Sequence, residues 1–186
     1  MSKTKLYVAG SSLLLALGVG GAQFIEGPSE TQIQQIVKHE GFTSKPIIPT
    51  KGDVPTIGHG TTYYPDTGIK VKMSDPAIDR KQALEYLRMY VDKDAQRFNK
   101  TLVNIPISQA EYDLYIDFSY QYGIGNWSKS SMLRNLKKKD YVAACKSLLK
   151  YKYAGGYDCS TPGNKRCSGV WTRQLERFDK CMGANS

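Results

Sequence analysis

Ile33, Ile36 and Val37 fall on one face of a helix, and the residues around them mark its ends. Ser29 with Gln32 reads as a capping box, Pro28 suits a helix entrance, and Gly41 is the expected left-handed stop. A helix is therefore predicted over 29–40. The longest periodic stretch runs from Asp79 to Thr101, where Ala83, Leu84, Leu87, Val91, Ala95 and Phe98 recur at steps of three and four. It predicts a core-facing connector between two lobes. Ser108 with Glu111 is a second capping box, Leu114, Phe118 and Tyr122 face one way, and Gly123 closes that helix. Shorter helices are predicted near 130–138, 140–151 and 169–182.

Between the first two helices the pattern changes. Three prolines and three glycines between Phe42 and Thr62 exclude a long helix. Val54 to Gly58 reads as a short edge strand in a small hairpin, since Pro55 is tolerated mainly at edges. Pro65-Asp66-Thr67-Gly68 is a turn sequence. The elements together predict an α+β fold: a small antiparallel hairpin lobe, a mainly helical lobe, and a long helix joining them.

One charge sits against this pattern. Glu40 occupies the last turn of its helix, where a negative charge faces the negative end of the helix dipole. That placement opposes stability and favours the protonated acid. It suits a surface residue of no consequence, or an enzyme that needs a carboxylic acid still protonated near neutral pH.

The first 27 residues form a separate object. Lys3 and Lys5 precede an apolar run from Leu6 to Ile25, whose strongest block is Leu13-Leu14-Leu15-Ala16-Leu17. Twenty residues just span a bilayer as a helix, and the lysines predict a cytoplasmic N-terminus with the rest exported. Two readings stand. Either a signal peptide is cut after Ala22, or an uncut signal anchor, diluted by Gly10, Gly18, Gly20, Gly21 and several Ser and Ala residues, inserts only weakly. The domain reading is 1–27 for this segment and 28–186 for the rest.

Lys plus Arg is 26 and Asp plus Glu is 17, giving a net charge of +9. Such a balance favours an anionic partner. Nucleic acid is not expected: the densest basic run, Arg134 to Lys139, reads as a solvated corner, and no nucleic-acid-binding signature occurs. Cys145, Cys159, Cys167 and Cys181 lack any Cys-x-x-Cys pair, so zinc is not expected. An even count in an exported chain points to two disulfides, for which three connectivities exist. Cys159 and Cys167 flank a loop composition that suits a local clip, leaving Cys145 with Cys181. No serine-hydrolase elbow, phosphate loop or dinucleotide fingerprint is present, and no cofactor or metal is expected.

Glu40-Gly41 followed by Thr56-Ile57-Gly58-His59-Gly60 resembles the phage-type lysozymes, glycoside hydrolase family 24. Asp117 to Gly123 resembles the end of that family's central helix, Ser130 to Leu136 its next short helix, and Trp171 to Arg177 its closing helix. The resemblance covers roughly residues 29–182. It implies a lysozyme-like fold and a muramidase that cuts the β-1,4 bond between N-acetylmuramic acid and N-acetylglucosamine in bacterial peptidoglycan, acting as an endolysin. Export, the weak N-terminal span and this likeness together resemble the signal-arrest-release endolysins. That implies a host inner-membrane stage through residues 6–25, then a periplasmic one, for a monomeric protein.

The resemblance assigns roles. Glu40 is the general acid, Asp53 orients the attacking water and offsets positive charge on the sugar, and Thr56 holds the same water. Gln121 is a substrate contact. His59 either hydrogen-bonds substrate in the cleft or has a structural role in the hairpin. One departure stands out. The family pattern is Glu, eight residues, Asp, five residues, Thr, whereas here Pro49 lies nine positions after Glu40 and Thr50 six before Thr56. Asp53 carries over by chemistry, Thr50 by position. Two further readings stay open. A lytic transglycosylase needs one acid and no water-positioning partner, and an exported basic protein binds peptidoglycan without cutting it.

Overall fold

In a computed structural model of the protein, residues 4–8 and 24–186 are described. Residues 9–23, most of the apolar run, lie outside the described residues. No helix among the described residues is long and apolar enough to cross a membrane. The chain divides into two compact units: Ser29–Gln96, and a second made of Met1–Pro28 with Arg97–Ser186.

The first unit begins with α1, Glu30–Glu40, whose Ser29 hydroxyl accepts the Gln32 amide at 3.2 Å. Glu30 in its first turn suits the positive end of the dipole and pairs with Arg88 at 2.6 Å. Arg88 lies on α2, Arg80–Thr101, which continues into the second unit. Between them, β3 (Thr43–Ile47) and β4 (Thr56–Gly58) form an antiparallel pair, with Thr43 opposite Gly58 and Ile47 opposite Thr56. The strand predicted from Val54 starts two residues later, because Pro55 has no N–H to give a ladder. Ile57, Val71, Ile78 and Ala83 are buried together, with Phe42, Tyr64 and Tyr86 packed against them. Burying a side chain of Ile57's size contributes about 1.5–3 kcal/mol, so this small core seats the hairpin on the start of α2.

The second unit carries α3 (Gln109–Tyr122), α4 (Ile124–Lys129), α5 (Ser131–Lys137), α6 (Tyr141–Leu148) and α7 (Ser168–Ala184). The capping box at Ser108 and Glu111 is complete. Trp127 on α4 is wholly buried, 4.9 Å from Phe98 and 5.1 Å from Tyr115 by ring centroids, and its indole N–H donates to the Thr101 hydroxyl at 2.8 Å. The sequence gives no sign of α4, since six residues are too few for a helical period to be seen. Lys137, Lys138 and Lys139 form the exposed corner between α5 and α6. Cys145 pairs with Cys181, tying α6 to α7, and Cys159 with Cys167, clipping the loop after the short hairpin of β5 (Tyr153–Ala154) and β6 (Tyr157–Asp158).

The N-terminal residues belong to this second unit. β1 (Tyr7–Val8) pairs in parallel with β2 (Phe24–Ile25), and Leu6 exchanges backbone bonds of 2.8 and 2.9 Å with Ile107. Lys5 forms an ion pair with Glu111, whose side chain is 0% exposed. The same ammonium donates to Asn185 Oδ1 at 2.7 Å and lies 3.8 Å above the Tyr141 ring.

A second buried carboxylate, Asp117 on α3, receives Arg173 Nη2 at 2.7 Å and Arg177 Nε at 2.6 Å, both from α7. Burial pushes its carboxyl up, but Arg177 and Arg173 outweigh this and hold it below the ordinary aspartate value of 3.8. A carboxyl depressed by folding stabilises fully above its unfolded pKa, and that stabilisation is lost as pH falls through the folded value. Asp117→Asn leaves two guanidinium groups buried without their counter-charge, so it should lower stability by about 3–5 kcal/mol at pH 7. It should also flatten the fall in stability below the aspartate range. Urea unfolding at pH 7 and in acid measures both, and a loss under about 1 kcal/mol at pH 7 would show that the pair contributes little.

Candidate active site

α1 delivers Glu40 to the point where the chain turns into the hairpin. Ile33 and Ile36 are buried and fix the helix, so Glu40, its last residue, is presented partly exposed. Gly41 leaves the helix at φ +70°, ψ −161°, a conformation open almost only to glycine, and its N–H caps the Val37 carbonyl at 3.1 Å. The sequence foresees both the stop and the glycine.

The hairpin supplies the other candidates. Thr56 opens β4, and its hydroxyl donates to the Val54 carbonyl at 3.0 Å. With its hydrogen committed, the Thr56 oxygen keeps lone pairs to accept from a water. Asp53 and Thr50 are both exposed on the loop between the strands. The Asp53 amide donates to the Thr50 carbonyl at 3.0 Å, closing a turn that includes Gly52 at φ +95°. The two residues competing for the water-positioning slot therefore share one turn.

His59 follows Gly58 at the end of β4. Its side chain is 3% exposed, and its Nδ1 is engaged by the Gly41 carbonyl. So enclosed a ring offers a sugar little surface. Gly58 has φ +66°, and a Cβ there would stand 3.0 Å from Ala83 Cβ and 3.2 Å from Ile78 Cδ1, so glycine is required on two counts. The sequence reading did not identify Phe42 or Arg80 as parts of this corner. The Phe42 ring lies 5.6 Å from His59 and carries the Arg80 guanidinium 4.4 Å from its centroid. Only an aromatic residue two positions after the acid hinted at it.

Gln121 belongs to the second unit, in the last turn of α3. It is partly exposed, and its Oε1 is buried with no hydrogen-bond partner among the described residues. No group of three His, Cys, Asp or Glu that would hold a metal ion occurs among the described residues.

By their resemblance to the phage-type lysozymes, Glu40 at the helix end and Asp53 and Thr56 on the hairpin are the candidate catalytic residues of a glycoside hydrolase. Comparison with known proteins agrees. Residues 37–177 match the phage lysozyme family, and the chain belongs to that family. It is 26% identical over 132 residues to an endolysin of Salmonella phage P22, covering 68% of this chain and 84% of that protein. It is 25% identical over 173 residues to a SAR-endolysin of Bacteriophage PS34, covering 91% of this chain and 83% of that one. In fold it resembles an endolysin from Escherichia coli O157:H7 phage FAHEc1, with a TM-score of 0.69 at 23% identity over 83% of this chain and 92% of that chain.

Proposed function

We propose that this protein is an endolysin that hydrolyses the β-1,4 bond between N-acetylmuramic acid and N-acetylglucosamine, with Glu40 as general acid. The placement of Glu40 at the α1 terminus, next to Gly41, whose carbonyl is bonded by His59 just after the Thr56–Gly58 strand, is the observation that carries this reading. Glu40 gives its proton to the glycosidic oxygen as the bond from the sugar's anomeric carbon breaks. A water held by Asp53 and Thr56 attacks that carbon from the opposite face and loses its proton to the Asp53 carboxylate. The positive charge of the chain favours approach to an anionic wall polymer.

The N-terminal residues bear on where the enzyme works. One relative carries the name SAR-endolysin and matches 91% of this chain. In our reading residues 6–25 act as an uncut signal anchor that later leaves the inner membrane for the periplasm. In that reading the Lys5–Glu111 ion pair belongs to the released form, because an inserted span would hold Lys5 on the cytoplasmic side.

Glu40→Gln should abolish lysis of permeabilised Gram-negative cells with the fold intact. Activity kept above about a tenth of wild type would refute the acid, since general acids contribute ~100-fold or more. A product with an anhydro sugar end would instead identify a transglycosylase. For the water, Asp53→Ala should cost far more activity on purified cell wall than Thr50→Ala, because only Asp53 can take up charge and a proton. The reverse order would give the role to Thr50. Mass measurement of the periplasmic protein should find residue 5 retained, and a form starting at Gln23 would exclude the uncut anchor.

A further inference from the structure

We propose that His59 is a positioning residue for the general acid: its Nδ1–H holds the carbonyl of Gly41, the residue that follows Glu40, and so fixes the chain where it leaves the acid's helix. The inference rests on the reading of Glu40 as the acid.

A carbonyl oxygen can only accept, so Nδ1 must carry the hydrogen in this bond. Gly41 needs such a partner. Its φ of +70° takes it out of the helix, so its carbonyl cannot enter the α1 hydrogen-bond ladder. Strand register provides the partner, because Thr43 lies opposite Gly58 and the residues just outside that pair are Phe42 and His59.

The imidazole itself has little freedom. It is 3% exposed and tilted against Phe42 at 5.6 Å, with Arg80 on the Phe42 ring. The backbone before it cannot drift toward α2, because Gly58 already lies in close contact with Ala83 and Ile78. A rigid line therefore runs from Ala83 on α2 through Gly58 and His59 to Gly41, and ends one residue from Glu40. Releasing the Gly41 carbonyl would free the Gly41–Phe42 peptide and leave the end of α1 tied at Gly41 only by its N–H to the Val37 carbonyl, so that the acid would shift with the loosened exit. A misplacement of about 1 Å at a catalytic group costs on the order of 100-fold in rate.

Three substitutions separate this role from packing. His59→Asn keeps an amide N–H where Nδ1 stood, His59→Gln moves it one bond farther, and His59→Phe keeps the ring without a donor. Turnover on solubilised peptidoglycan and thermal unfolding are measured for each, with Glu40→Gln alongside. The expected result is that His59→Asn keeps at least about a third of the wild-type kcat. His59→Gln and His59→Phe should lose about tenfold or more in kcat with KM within about twofold. Asn and Gln both remove the ring, so their melting temperatures should be alike, and the difference in kcat between them is the decisive reading. Equal losses for Asn and Gln would make His59 merely structural and overturn the proposal. A raised KM with kcat preserved would mean the ring touches sugar, and would also overturn it. Activity in Glu40→Gln would remove the acid assignment and this proposal with it, whereas an inert Glu40→Gln with a flat His59 series would remove only the positioning role.

Discussion

The chain leaves α1 at Gly41 with φ +70°, and the geometry of the catalytic unit follows from that single turn. A helix holds its own residues in place through its hydrogen bonds, but its last carbonyls have no partners within it. A residue placed there is held only as well as the chain beyond it. Here the chain beyond is a three-residue strand, Thr56–Gly58, with a five-residue partner, Thr43–Ile47. A pair this short is marginal alone. It is held by the cluster of Ile57, Val71, Ile78 and Ala83, and by the close approach of Gly58 to α2. The order of the hairpin that follows Glu40 thus originates in an apolar contact.

What the sequence made legible follows from how local each cause is. Ser29, Gly41, Ser108 and Gly123 act on the residues next to them, and the helix ends they mark agree with α1 and α3 to within a residue. Glu40 was found the same way, as a charge in the wrong turn of a predictable helix. Trp127 was not, because its partners Phe98 and Tyr115 come from helices whose packing no short window reveals. His59 was visible as a residue, but its bond to Gly41 depends on strand register, which the hydrophobic pattern of so short a hairpin does not specify. The water-positioning slot stayed ambiguous for a related reason. Spacing along the chain separates Thr50 from Asp53, while the turn joining their backbones places them side by side.

The second unit solves a different problem with the same chemistry. Glu111 and Asp117 are buried carboxylates on one helix, and each takes its cation from a distant part of the chain: Lys5 for one, Arg173 and Arg177 for the other. A buried ion pair is weak evidence for net stability, because removing two charges from water costs as much as their attraction returns. Its force lies in what happens when one partner is missing, since a lone buried charge costs several kcal/mol. Such pairs therefore make distant segments mutually dependent. Through Glu111 the α3 entrance is tied to residue 5, and through Asp117 α3 is tied to α7.

Burial thus sorts the carboxylates by task. Glu111 and Asp117 are buried among their partners, out of reach of a polymer. Glu40 and Asp53 are left where solvent and a polymer can reach them, one at a helix end and one on a loop. A general acid has to be reprotonated after each turnover, and a residue locked between guanidinium groups cannot be. Accessibility alone does not make a catalyst, since the surface holds many carboxylates that do nothing. Glu40 is partly exposed, while the backbone after it is tied, through Gly41 and His59, to buried structure. A rigid main chain beneath a partly exposed acid suits the hydrolysis of a glycosidic bond, and Glu40 shares the unit Ser29–Gln96 with the threonine-bearing strand Thr56–Gly58.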